Sequence, residues 1–241
     1  MRGDRVFEGF SRDTITFFLD LRFHNSKSFM DANRDRYRVE AREPFCSFIE
    51  ALGPRLQALI PDLEIRPAKC LSRINRDTRF SRDKSPYRDH LWVAFRQSGV
   101  SKDGMPFYWM EIRPEGVSWG VGLWGENTEA METLRRKIEA DPRGIERLFA
   151  LVDEAGCVME GPEWKKRVPP AGIEGRLRSL YLKKAVYFEK ADTRLEWIFS
   201  PDFVDRVYED YRVLKPWYDL LRGCVPKDPA ASGQDAKLVK E

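Results

Sequence analysis

"PFYWMEIRPEGVSWGVGLWG", residues 106–125, is the stretch on which the fold turns. Aromatic and branched side chains flank the tetrapeptide "RPEG", residues 113–116, so the segment reads as a β-hairpin. Pro114 and Gly116 fit a type I turn followed by a glycine bulge. Along the second arm Val117, Trp119, Val121 and Leu123 alternate with Ser118, Gly120 and Gly122. That alternation leaves one sheet face bare, so that a helix, bulky Tyr108 and Met110, or a ligand can approach the backbone. Gly120–Gly125 also fits the spacing GxGxxG. The alternation runs straight through it, and a hairpin arm rather than the first strand of a βαβ unit precedes it, so no dinucleotide cofactor is expected.

Further strands are expected on either side. "LWVAFR", beginning at Leu91, reads as a short strand, "LEIRPAKCLSRI", residues 63–74, as extended chain, and "AVYFEK", residues 185–190, as one more strand. Helical spacing dominates the rest. Ser11 is placed to cap a helix with Ile15, Phe18 and Leu19 on one face, widened by Phe17 and Leu21. Phe29, Asn33 and Tyr37 align at i, i+4, i+8, and Asn33 there is an amide in need of partners. Pro44 can open a third helix carrying Phe45, Phe48, Ile49, Leu52, Leu56 and Leu59, which Gly53 and Pro54 should kink or split. Beyond the hairpin, helices are expected from Thr128, from Asp141–Pro142 to a stop at Gly156, and from Ser200–Pro201 to Gly223, with an interruption near Pro216.

Helices and strands thus fall in blocks rather than in strict alternation. The expected class is α+β: N-terminal helices, a mostly antiparallel sheet with the glycine-aromatic hairpin, and further helices packed on it. Residues 1–225 are expected to form a single domain, and the polar, small-residue tail 226–241 to be disordered.

Composition narrows the class of protein. The chain has 241 residues, 42% hydrophobic and 34% charged, which suits an ordinary globular protein. No run approaches the roughly 18 apolar residues of a membrane span, and "MRGDRVFEGF" lacks the apolar core of a signal peptide, so the expected location is cytoplasmic, with no membrane partner. Cys46, Cys70, Cys157 and Cys224 have no CxxC spacing, and there are only two histidines, so buried free thiols are expected rather than a metal site or a disulfide framework. His24 and His90 are possible general bases, although neither sits in a recognisable triad.

The sharpest feature is "RINRDTRFSRDKSPYRDH", residues 73–90. Net charge is only +3, yet residues 66–96 carry nine Lys or Arg against three Asp, so the remainder is acidic. The loop between the expected strands has no periodicity of its own, and loops of this length are commonly functional. Arg73, Arg76, Arg79 and Lys84 are candidate contacts for a phosphate or carboxylate. Asp77 and Asp83 would orient the guanidinium groups, Tyr87 would add a hydroxyl donor, and Phe80 and Tyr87 would anchor the loop. Two other readings stay open: the ion pairs clamp the loop to the body as a scaffold, or the basic surface binds nucleic acid. The oligomeric state and any reaction stay open too; Asp77 or Asp83 would act as a base only where burial raised its pKa.

The same residues carry a resemblance. "RINRDTRFSRDKSPY" resembles the signature of the family known as domain of unknown function 2461, which runs Arg-x-x-Arg-Asp-x-Arg-Phe and then Asp/Asn-Lys-x-x-Tyr. Arg73, Arg76, Asp77, Arg79, Phe80, Asp83, Lys84 and Tyr87 all match it. The likeness extends from residue 7 to about residue 222, through "HNSKSFMDANRDRY" and "FSPDFVDRVYEDYRVLKPWYDLL". Phe29 and Met30 stand where Trp-Phe is usual, and His24 where Asn is common. The resemblance implies that the cationic loop is a family feature, and it supplies no reaction and no catalytic residues.

Overall fold

A computed structural model describes residues 6–99, 104–123 and 125–226. The hairpin lies at the centre of the fold. Strands β1 (Leu91–Phe95), β2 (Phe107–Arg113), β3 (Gly116–Gly122), β4 (Val158–Glu160) and β5 (Tyr187–Asp192) form one sheet in the order β1-β2-β3-β5-β4, with every pairing antiparallel. Arg113 pairs with Gly116, so Pro114 and Glu115 alone make the turn and there is no bulge. Gly116 is also outside the left-handed region. Its small size matters for another reason: a Cβ there would stand 2.6 Å from the Asp192 carbonyl oxygen on β5. Gly120 and Gly122 lie inside the paired strand and serve the same end, since a Cβ on Gly120 would meet the Phe188 oxygen at 2.0 Å and the Trp109 ring at 2.8 Å. Trp109, and not Tyr108 or Met110, therefore uses the bare face. Tyr108 and Met110 point into the main core on the opposite side.

Helices cover that opposite side. The N-terminal group comprises α1 (Arg12–Phe23), α2 (Lys27–Ala32), α3 (Arg34–Arg36), a π-helical segment Tyr37–Arg42 and α4 (Glu43–Leu59). Ser11 caps α1 by accepting from the Thr14 amide at 3.3 Å. Phe17, Phe18 and Leu21 are buried, whereas Leu19 faces solvent. Pro44 lies in the first turn of α4, which begins at Glu43 and continues without a break from the π-helical segment. Proline has no N–H for the Glu40 carbonyl four residues back. The buried Thr14 hydroxyl of α1 donates to that carbonyl instead. Nor do Gly53 and Pro54 split α4, which runs on to Leu59. Gly53 permits close contact with Ile65, whose Cβ would lie 2.9 Å from an added Cβ.

In residues 63–74 the extended chain is interrupted by α5 (Pro67–Cys70), with isolated bridges Leu63–Gln97 and Leu71–Val93 on either side of it. After the hairpin come α6 (Thr128–Ala140), capped by Asn127, and α7 (Pro142–Glu154), capped by Asp141. Gly156, at φ +65°, follows the end of α7. β4, α8 (Gly175–Leu182) and a 3₁₀ turn Leu195–Phe199 occupy stretches with no regular pattern in the sequence. α9 (Phe203–Val213) and α10 (Lys215–Arg222) close the core over β3. Trp119, Trp217, Tyr108, Tyr211 and Tyr218 are the largest side chains fully buried there. All four cysteines are buried, and none forms a disulfide among the described residues; burial pushes the thiols of Cys70 and Cys157 up to about 12. Among the described residues no helix is long and apolar enough to cross a membrane. The tail 227–241 lies outside the described residues.

Candidate functional site

The loop 73–90 leaves the body at Ile74 and returns at Tyr87, both buried. Its two ends are stitched together: Asn75 bridges Tyr87, the Arg76 amide donates to the Pro86 carbonyl at 2.9 Å, and the Arg88 amide to Ile74 at 2.8 Å. Asn25, between α1 and α2, takes both backbone groups of Tyr87, accepting from its N–H at 3.0 Å and donating to its C=O at 2.9 Å. Tyr87 anchors the loop in this way. Phe80 does not: it is 77% exposed, with the Arg79 guanidinium over its ring.

The loop cations have different fates. Arg79 forms a fork on Asp77, with Nε to Oδ1 at 3.0 Å and Nη2 to Oδ2 at 2.6 Å, and the Asp77 carboxyl is held down at about 2, mainly by that fork. Both partners are exposed, so the pair ties the loop to nothing else. Arg76 meets Asp83, whose other oxygen accepts from the Ser85 amide at 2.9 Å and hydroxyl at 2.6 Å. The Ser85 hydroxyl and then Arg76 keep Asp83 below the usual carboxylate range. Lys84 donates to the Thr78 carbonyl at 2.9 Å, and Arg88 to the carbonyls of Arg73 and Asn75. Carbonyl partners carry no formal charge, so these cations keep the surface positive.

Arg73 alone among the expected anion contacts has an unengaged guanidinium, and it faces away from the loop tip. It lines a cleft of about 360 Å³ between the N-terminal helices and residues 67–75. Arg42, at the end of the π-helical segment, lines the same cleft and likewise has no hydrogen bond or ion pair among the described residues. Arg34, Tyr37, Ser72, Asn75 and Tyr87 complete its polar lining, with Met30, Leu71 and Ile74 as apolar neighbours. No carboxylate lines it among the described residues. Arg34 is already engaged by Asp31 on its exposed side. Burial raises the Tyr37 pKa despite the opposing charge of Arg42, so Tyr37 is a protonated hydroxyl donor at neutral pH.

Of the seven residues expected at the site, the structure thus brings Arg73 and Tyr87 to this cleft, sets Arg76 and Asp83 in an adjoining one with Arg22 and His90, and leaves Asp77, Arg79 and Lys84 toward the loop tip. Arg42 and Tyr37 escaped sequence reasoning because the cleft needs residues thirty positions apart. The line Phe29, Asn33, Tyr37 marked Tyr37 as a helix-face residue, and the recurrence of Arg34, Arg38 and Arg42 every four residues was the signal for Arg42. Asn33 satisfies its own amide locally, donating to the Phe29 carbonyl at 2.9 Å.

His24 is exposed and stacks on Phe29. His90 is held between two carboxylates, Nδ1 at 2.8 Å from Asp89 and Nε2 at 3.3 Å from Glu111. Burial alone would raise the Asp89 pKa; bonds from His90 and Arg22 outweigh it and hold it down.

No curated protein matches the chain. The loop signature, the antiparallel sheet and the helices around it fall within the span of one family model, which matches residues 13–220: the chain belongs to the conserved hypothetical family DUF2461.

Proposed function

We propose that the protein binds a small anionic ligand, a phosphate or carboxylate compound, in the cleft between the N-terminal helices and residues 67–75. One observation carries this reading: Arg42 and Arg73, from separate segments, present unengaged guanidinium groups to a single cleft lined by no carboxylate among the described residues. Guanidinium forks bind phosphate and carboxylate bidentately. Tyr37, Ser72 and Asn75 supply further hydrogen-bonding groups, and Tyr87 fixes the floor by its backbone bonds to Asn25. Arg76, Arg79 and Lys84, with Asp77 and Asp83 orienting the first two, form an outer rim whose field favours an anion.

A thermal-shift screen of orthophosphate, nucleotides and organic acids tests the reading. Binding at a hundredfold excess over Kd stabilises the folded state by about 2.7 kcal/mol. Arg42→Ala and Arg73→Ala are each expected to weaken the affinity by about tenfold or more, since bonds to charged groups contribute roughly 1.5–3 kcal/mol. Arg79→Ala, engaged by Asp77 outside the cleft, should change it little. A folded protein that no anion stabilises, or stabilisation that survives in both cleft variants, sinks the reading.

A second reading has its own support. The Arg76–Asp83 and Arg79–Asp77 pairs favour a loop held by internal ion pairs. In the ligand-free arm of the same screen, that reading requires Arg76→Ala to lower the melting temperature clearly. Exposed pairs contribute only about 0–1 kcal/mol, and Asp83 is 57% exposed, which weighs against it.

A further inference from the structure

The segment Tyr37–Arg42 is π-helical, and the two residues that bound it both line the anion cleft. π-Helical hydrogen bonds run from residue i to i+5, so the first and last residues of this segment stand nearly one above the other. In an α-helix, at 3.6 residues per turn, positions five apart point about 140° away from each other. The wider turn thus puts Tyr37 and Arg42 on one side of the helix, facing the same cleft. The positive charge of Arg42 is felt at the Tyr37 phenol, where it opposes the effect of burial. The Tyr37 hydroxyl and the Arg42 guanidinium have no hydrogen bond or ion pair among the described residues.

Tyr87 supplies a second phenol. It is 7% exposed, it lines this cleft as well as the adjoining one that holds Arg76, and its hydroxyl has no hydrogen bond among the described residues. Burial of a hydroxyl without a partner is unfavourable, and an acceptor on a ligand would restore the missing bond. With Arg42 and Arg73 the lining therefore offers about six donor positions, two from each guanidinium fork and one from each phenol. An ionised carboxylate has only two oxygens and about four lone-pair sites, whereas a phosphate monoester presents about three strong acceptor oxygens. Two fixed positive charges also match the monoester's charge, roughly −1.5 to −2 at pH 7, better than the single charge of a carboxylate.

Part of the lining is apolar. Met30 and Ile74 are buried and Leu71 is half-buried, and all three border the cleft. A phosphate head occupies only a fraction of its volume of about 360 Å³, which is itself at the low end of ligand pockets, about 300–1,000 Å³. On the anion reading of this cleft, on which the assignment rests, we propose that the ligand is a phosphate monoester of a small apolar alcohol. Its dianionic head meets Arg42, Arg73 and the two phenols, and its organic part lies on Met30, Leu71 and Ile74. Charge state and organic class are thereby added to a site otherwise defined only by its sign.

Calorimetric titration of the full chain with phenyl phosphate, phenyl sulfate, benzoate, orthophosphate and AMP in separate arms tests this. Phenyl phosphate is expected to bind about tenfold or more tightly than each of the others. Phenyl sulfate carries one charge, benzoate has two oxygens, orthophosphate has no apolar part, and AMP has a larger and more polar one. The second ionisation of a phosphate monoester lies near pH 6, so its affinity should fall about five- to tenfold from about pH 7.5 to about pH 5. That for phenyl sulfate, charged throughout, should stay constant. Tyr37→Phe and Tyr87→Phe keep the ring and should each weaken phenyl phosphate about tenfold. Phenyl sulfate or benzoate binding as tightly as phenyl phosphate, or a phenyl phosphate affinity that ignores pH, overturns the dianion and leaves the anion site standing. Orthophosphate or AMP binding as tightly overturns the small apolar part, and unaltered affinity in both phenylalanine variants overturns the phenol contacts. If no anion binds the folded protein at millimolar concentration, the anion reading itself fails and the phosphate monoester with it.

Discussion

At the scale of single residues, two buried tyrosine hydroxyls stand without a hydrogen-bond partner among the described residues. Tyr108 and Tyr218 stack at 5.1 Å with their rings 16° apart, both fully buried, and neither phenol oxygen has a hydrogen-bond partner among the described residues. Burial pushes Tyr218 up to about 12 and Tyr108 well above its ordinary value, so both are neutral phenols. Their neighbour Tyr211 differs: its hydroxyl donates to the Trp109 carbonyl. A desolvated hydroxyl without a partner contributes nothing to offset its lost hydration, whereas removing one half of a buried bond costs about 1–3 kcal/mol. Tyr108→Phe and Tyr218→Phe are therefore expected to be neutral or slightly stabilising in urea melts, and Tyr211→Phe to be destabilising by about 1–3 kcal/mol. Equal losses in all three would show that the first two phenols have partners. None of this was legible in the sequence. Tyr108 and Tyr211 occupy buried positions of a strand and a helix, and the partner of a buried hydroxyl depends on which backbone oxygen the tertiary fold brings near.

At the scale of elements, legibility followed locality. Caps and stops such as Ser11, Asp141 and Gly156 act within a few residues, and the sequence showed them at or beside their places. The hairpin was legible for the same reason. What failed was decided by neighbours distant in the chain. The glycine in "RPEG" answers to Asp192, Gly53 to Ile65, and the backbone around Pro44 to Thr14. The candidate site divides in the same way: the charge of Arg73 was visible in one local cluster, but its companion Arg42 belongs to a separate helical stretch about thirty residues earlier, and only the tertiary fold joins the two. The glycines of β3 give this a measurable form. Gly120→Ala forces the Phe188 carbonyl and the Trp109 ring to move, and overpacking typically costs about 1–3 kcal/mol. Ser118→Ala, two residues earlier on the same face, adds no atom and serves as the control. Gly120→Ala should melt well below that control, and equal melting temperatures would show that β5 yields without cost.

At the scale of the whole molecule, one carboxylate joins three parts of the chain. Asp210 on α9 accepts from the Trp119 indole N–H of β3 at 2.8 Å and from the Lys190 ammonium of β5 at 2.9 Å. Trp119 is fully buried and Asp210 only 14% exposed, so solvent replaces these bonds poorly. The same helix meets the N-terminal helices through Phe203, which packs edge-on to Trp119 and against Phe48 of α4. Sheet, N-terminal helices and C-terminal helices are thus coupled through the first two turns of α9. Removing one partner of a largely buried pair leaves the other uncompensated, at a cost of about 3–5 kcal/mol when burial is complete. Asp210→Ala should come near the lower end of that range, because Lys190 is 31% exposed and keeps some hydration. Asp210→Asn retains an acceptor for Trp119 and loses only the charge, so its destabilisation should be intermediate. The order wild type, Asn, Ala in urea midpoints, with an altered Trp119 environment in the alanine variant, is the expected result. If both variants unfold at the wild-type midpoint, α9 is held by its apolar face alone, and the polar link between the sheet and the C-terminal helices contributes nothing to stability.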